Sequence, residues 1–61
     1  MAELHKTGES SYQVLIEDEV VGQVWNWHGI WSAQACDEIY HGLKSRKKAV
    51  EQVIRTHELS G

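Results

Sequence analysis

Apolar and polar residues alternate along the first half of the chain, and this alternation predicts β-strands. In the segment YQVLI, Tyr12, Val14 and Ile16 fall on one side of an extended chain. A second apolar run, VVGQVWNW, follows the acidic segment EDE, and a third, IWSAQAC, begins after the turn signal HG. These runs predict three antiparallel strands at about 11–17, 20–27 and 30–36.

The last part of the chain carries the spacing of an amphipathic helix. Val50, Val53, Ile54 and His57 recur at intervals of three and four residues. Ser45 precedes them, and serine is a favoured residue for capping a helix N-terminus. The pattern therefore predicts a helix at about 45–58.

Together these elements predict an α+β fold, a three-stranded antiparallel sheet packed against one C-terminal helix. Residues 1–10 lack apolar periodicity and are expected to form a disordered tail, which leaves residues 11–59 as a single small domain. An alternative is a helical hairpin, in which SAQACDEIYHG forms a short helix capped at Ser32 and ended at Gly42.

The pairing of the first two strands decides which side chains the helix covers. A two-residue turn at Asp18-Glu19 would place Trp25 and Trp27 on the same face as Tyr12. A four-residue loop would keep the same parity. This face is the more apolar of the two, so it is predicted to meet the helix.

The predicted core is therefore built around Trp25, which is expected to pack with Val50, Val53 and Ile54. The opposite face of the sheet would hold Leu15, Val20 and Val24 among polar residues. A half-apolar, uncovered face is either a partner site or a harmless exposure. The pattern does not decide on which side of the sheet Trp31 lies, because the register of its strand depends on an unknown turn.

Charge divides the chain into two unequal parts. The net charge is −3, but residues 1–40 hold seven acidic groups and one basic group, whereas residues 41–61 hold five basic groups and two acidic ones. Three cations follow Ser45 directly, where they oppose the helix dipole. Cations beside free backbone N–H groups suit an anion or an acidic protein surface. A solvated run of charge explains the same residues without any partner. The candidate partner- or anion-binding residues are Lys44, Ser45, Arg46, Lys47, Lys48 and Trp31.

Several classes of chemistry find little support in the sequence. Cys36 is the only cysteine, so no internal disulfide forms, and the chain fits a reducing compartment such as the cytoplasm. The histidines and Cys36 lack the spacing of a zinc site, and no nucleophile or phosphate-loop motif is present. No apolar run approaches the roughly 20 residues of a membrane span. We therefore expect no metal, no cofactor, no membrane insertion and no enzymatic activity.

The stretches GIWSAQA and GLKSRKKA resemble the three-strand-plus-helix domains of AP2 type, which include arm-binding domains of some phage-type integrases. The resemblance covers about half of the chain. It implies the same fold, and DNA contact through arginines on the sheet. No lysine or arginine lies between Lys6 and Lys44, so those DNA-contacting residues have no counterpart here. The matching residues are Gly29, Trp31, Ala33, Gly42, Leu43, Ser45 and Ala49.

These observations favour a non-enzymatic binding module whose partner is a protein, another copy of the same chain included. The alternative is a nucleic-acid-binding domain that uses the basic helix start. Salt distinguishes the two, since binding to phosphates weakens steeply as the salt concentration rises.

Overall fold

The computed structural model describes residues 2–60, with the backbone alone at residue 60. An antiparallel sheet of five strands is followed by one C-terminal helix. The α+β class, the antiparallel sheet and the helix are confirmed, but the sheet has five strands instead of three. Each strand pairs with the next in the chain. The elements are β1 (Ala2–Gly8), β2 (Ser11–Ile16), β3 (Glu19–Trp27), β4 (Ile30–Ala35), β5 (Glu38–Leu43) and α1 (Arg46–Ser60).

The expected disordered tail at residues 1–10 is wrong for the residues that the structure describes, and Met1 lies outside them. β1 pairs with β2 from Ala2 opposite Ile16 to Lys6 opposite Tyr12. All seven residues of β1 are exposed. A strand at the edge of a sheet with no buried side chain needs no apolar alternation, so its sequence carries no strand pattern.

The helical hairpin is also wrong, because β5 returns along β4 as a strand. A two-residue turn at Cys36-Asp37 joins them, and Ala35 lies opposite Glu38. The pairing shifts register between Trp31 and Ala33 on β4. Gly42 lies in this irregular part of β5 with φ +74°, a conformation that glycine adopts without steric cost.

Three hairpin turns share one backbone geometry. Both residues of each turn have positive φ, at Glu17-Asp18 (52° and 67°), His28-Gly29 (53° and 80°) and Cys36-Asp37 (51° and 67°). Positive φ at both central residues is the geometry of type I′ turns, whose twist matches that of the paired strands. The Glu17-Asp18 turn lies one residue earlier than the expected Asp18-Glu19 turn.

An extra residue in β3 decides which side chains face the helix. Leu15 pairs with Val20, but Val14 pairs with Gly22, so Val21 is a β-bulge. A one-residue shift exchanges the two faces of everything beyond it. Tyr12 therefore lies opposite Val24. Beyond the bulge, the even-numbered residues of β3 share the side of Tyr12 and Val14, and the odd-numbered residues lie on the other side.

The predicted core position of Trp25 and Trp27 is wrong for this reason. Trp25 lies opposite Ser11 and Ser32, on the side of the sheet away from the helix, and Trp27 follows it there. Val24, expected on the uncovered side, is fully buried against the helix. Leu15 and Val20 lie on the side away from the helix as expected, where Val20 is half exposed but Leu15 is buried.

The core consists of small and β-branched residues between the sheet and α1. Val50 and Ile54 pack against it, as predicted, whereas Trp25 takes no part. Tyr12, Trp31 and Leu43 close its margin. The buried members are Val14, Val24, Ala33, Ala35, Ala49 and Val53.

Ser45 caps the helix as predicted. The Lys48 backbone N–H donates to Ser45 Oγ at 3.2 Å, and the Ala49 N–H donates to the Ser45 carbonyl oxygen at 3.0 Å. The cap satisfies one of the backbone donors that a helix start leaves free. It fixes the point at which the basic residues enter the helix.

The helix lies very close to the sheet at Gly22. A Cβ atom at this position would lie 2.5 Å from the Gln34 carbonyl oxygen and 2.5 Å from Val53 Cγ1. Both distances are shorter than atoms tolerate, and one of the atoms belongs to the backbone of β4. The absence of a side chain at Gly22 therefore sets the spacing between sheet and helix.

We expect Gly22→Ala to lower the free energy of unfolding by about 1–3 kcal/mol or more, since it overpacks a closed core. Urea denaturation measures the change. Gly8→Ala is the matched control, because its Cβ would meet only the movable Ser11 hydroxyl at 2.8 Å. Equal losses in the two variants would show that the helix does not lie this close to β3.

Candidate functional site

The helix covers one side of the sheet and leaves the other uncovered among the described residues. We call this uncovered side of β2 to β5 the open face. Its members follow from the strand pairing, and none of them is a lysine, arginine, aspartate or glutamate. They are Ser11, Gln13, Leu15, Val20, Gln23, Trp25, Trp27, Ile30, Ser32, Gln34, Ile39 and His41.

Large apolar side chains of the open face are exposed to solvent. The exposed fractions are 68% for Trp27, 50% for Ile30, 51% for Val20 and 53% for Ile39. Trp27 and Ile30 lie opposite each other across the turn that joins β3 and β4. The Trp27 ring also meets the His28 ring edge-on, with centroids 4.0 Å apart. Half-buried Trp25 continues the apolar surface toward the middle of the sheet.

A row of glutamines crosses the open face between its apolar parts. Gln13 lies opposite Gln23, and Gln23 lies opposite Gln34. The Gln23 Nε2 group donates to Gln34 Oε1 at 2.7 Å. Amides both donate and accept hydrogen bonds without carrying charge. The row therefore offers polar recognition that costs less to desolvate than an ion would.

A second polar contact lies next to Trp25. Ser32 Oγ and His41 Nδ1 are 2.9 Å apart, a distance that joins β4 to the irregular part of β5. Ser32 is buried, so this hydrogen bond satisfies a hydroxyl that lacks access to water. It holds His41 on the open face beside the tryptophan.

The basic residues of the sequence-predicted site lie at the start of α1, away from the open face. Lys44, Arg46, Lys47 and Lys48 are exposed, and Ser45 is half-buried. No acidic residue lies in the first turn of the helix. Among residues 2–60, no carboxylate comes within 4.0 Å of any of these four cations.

Trp31, the remaining predicted site residue, lies on the helix-facing side. Its ring centroid is 6.3 Å from that of Tyr12, and the Arg46 guanidinium lies over the same Tyr12 ring at 5.2 Å. Tyr12 thus brings Trp31 and Arg46 into one cluster. Trp31 is half-buried and packs against the core.

Sequence reasoning identified part of the open face and missed the rest. It expected Leu15 and Val20 there but placed Trp25 and Trp27 in the core. Ile39 was missed because β5 was not recognised as a strand. The one local signal was the pair Val20-Val21, where two adjacent apolar residues interrupt the alternation.

The described residues include neither a cluster that could hold a metal ion nor a helix that could cross a membrane. Within residues 2–60, no group of three or more His, Cys, Asp and Glu side chains is placed to hold a metal ion. In the same range, the one helix is too short and too polar to cross a bilayer. Comparisons with protein-family models, curated proteins and solved structures gave no match. Function is therefore inferred from the surfaces of this chain alone.

The electrostatic role of the helix start can be tested by charge reversal. We expect Lys47→Glu to raise the free energy of unfolding by about 0.3–1 kcal/mol at low salt, because a carboxylate suits the positive end of the helix dipole. Arg46→Glu should gain less, since it loses the cation over Tyr12, a contact worth about 0.5–1 kcal/mol at exposed sites.

Chemical denaturation with urea, which adds no ions, measures both variants. Arg55→Glu is the control, because it makes the same change of charge in a later turn of the helix. A stabilisation of equal size in Arg55→Glu would assign the effect to net charge instead of the dipole.

Proposed function

We propose that this chain is a non-enzymatic protein-binding module whose open face contacts the partner. The observation that supports the proposal is the composition of that face. Four large apolar side chains are at least half exposed, and the members from β2 to β5 include no lysine, arginine, aspartate or glutamate. On the same side of the sheet, Glu3 of β1 lies at the margin, opposite Leu15. Protein interfaces are depleted in Lys, Glu and Asp at their centres and enriched in tryptophan.

Trp27 is the residue of the open face best suited to anchor a partner. It is the most exposed of the three tryptophans, and Ile30 supports it from the adjacent strand. Tryptophans that become fully desolvated at an interface commonly contribute most of its binding energy. The glutamine row can supply hydrogen bonds around this anchor.

We expect Trp27→Ser to weaken binding of a protein partner about 30-fold, the equivalent of 2 kcal/mol at an interface hot spot. Partners captured on the immobilised wild-type protein would be purified, and their Kd values compared by calorimetry. Leu59→Ser is the matched control, because Leu59 is exposed at the far end of α1. Both variants should keep a cooperative unfolding transition. A partner bound equally well by Trp27→Ser would place the contact elsewhere.

The second candidate is a nucleic-acid-binding domain that uses the basic helix start. The observation in its favour is the group of four exposed cations without acidic partners among the described residues. Free backbone N–H groups at the helix start add to their attraction for phosphate.

A nucleic-acid binder of this kind should lose affinity with salt at a log–log slope of about −3, since each of three or four phosphate contacts contributes about −0.9. Short duplex and single-stranded DNA would be titrated at low salt while the amide signals of Arg46, Lys47 and Lys48 are followed. Signals that stay unshifted would exclude this candidate. A protein partner on the open face should show a much weaker salt dependence.

A further inference from the structure

The two edges of the sheet differ in how well they could accept another strand. β5 is irregular, with a register shift and Gly42 at φ +74°. β1 holds one continuous register with β2 from Ala2 to Lys6, and its only shift lies between Lys6 and Gly8. Natural proteins usually block a straight edge of this kind with a bulge, a proline or charged side chains, lysine above all. Residues 2–6 of β1 hold no bulge and no proline, and their charged residues are Glu3 and Lys6.

We propose that β1 of one copy pairs antiparallel with β1 of a second copy, with Leu4 on the two-fold axis. Two five-stranded sheets would then join into one sheet of ten strands. This surface is separate from the open face, so the inference goes beyond the proposed function. The backbone groups on the outer side of β1 have no partner strand among the described residues. A second β1 would satisfy them by strand addition.

The position of the axis follows from the strand itself. In two antiparallel edge strands related by a two-fold axis, paired residues lie on the same face, so the axis passes midway between the two copies of one residue. Leu4 is the centre of the regular segment Ala2–Lys6, so an axis there pairs all five residues. An axis at Glu3 would set two carboxylates against each other. An axis at His5 would bring in Thr7, where the strand is irregular.

The side chains fit this register in charge and in size. The partner's Leu4 would cover Leu4, which is 37% exposed beside Val14 on the helix-facing side. Glu3 would lie opposite the partner's His5, whose ring can donate a hydrogen bond to the carboxylate. Within one copy, Glu3 Oε2 and His5 Nε2 are already 4.0 Å apart. Ala2 would lie opposite the partner's Lys6, so no like charges meet.

Five paired residues form a small contact, so the dimer should be weak and in exchange with the monomer. Sedimentation over a wide range of protein concentration measures the equilibrium, and amide exchange of β1 shows where the copies meet. In the dimer, outward-facing β1 amides should gain protection as the concentration rises. The wild type and Leu59→Lys, an exposed control at the helix end, should dimerise equally.

Charge at the axis provides the decisive test. Leu4→Lys or Leu4→Glu alone should weaken the dimer at least 10-fold, since each sets two like charges against each other. A one-to-one mixture of the two variants should restore association, because the axis then joins opposite charges. Recovery in the mixture also shows that both variants fold.

Other outcomes would overturn the inference. A wild type that stays monomeric at every concentration excludes the dimer. A dimer that survives Leu4→Lys but is lost in Trp27→Ser would place the contact on the open face. Under the proposed pairing, Trp27→Ser keeps the dimer and loses only the separate protein partner, so the two proposals fail independently.

Discussion

The single extra residue at Val21 determines the organisation of this protein. Before it, Leu15 and Val20 share the uncovered side of the sheet; after it, Val24 faces the helix and Trp25 faces away. Without the bulge, the aromatic residues of β3 would lie beneath α1. The bulge therefore places small aliphatic residues on the covered side of the sheet and two tryptophans on the uncovered side. The open face is a consequence of register as much as of composition.

The covered side is built for a close approach of helix and sheet. Between the layers lie residues with small side chains or none, so the helix packs too close to the sheet for large side chains to fit there. They are Gly22, Ala33, Ala35 and Ala49. Tyr12 and Trp31 close the margin instead, and Tyr12 carries the Arg46 guanidinium. The basic helix start is thus tied to the domain through an aromatic contact, while its other cations point into solvent. The two candidate binding surfaces lie on different sides of the molecule and can be altered separately.

Sequence patterns predicted the central elements because those elements bury one side. The alternation at Tyr12, the pair His28-Gly29 and the apolar stripe after Ser45 located β2 to β4 and the helix within a few residues. β1 has no buried side chain, so no pattern marks it. The faces were predicted wrongly because a bulge within Val20-Val21-Gly22 leaves only adjacent valines as its sign. Of the predicted site residues, the four cations are exposed, whereas Trp31 packs against the core.

The pairing of every strand with its neighbour in the chain also bears on how the molecule folds. Each hairpin closes a short loop, so the entropy lost at each step is small, and topologies rich in such local pairings fold faster than those that need distant ones. The helix is the exception, because β4 and β5 separate it from β3 along the chain, yet Val53 packs next to Gly22. Until the helix docks, both sides of the sheet expose apolar side chains to solvent. During synthesis, before the C-terminal segment is complete, or after its truncation, the side of the sheet that α1 normally covers would stay exposed. The chain would then be prone to aggregate through that side.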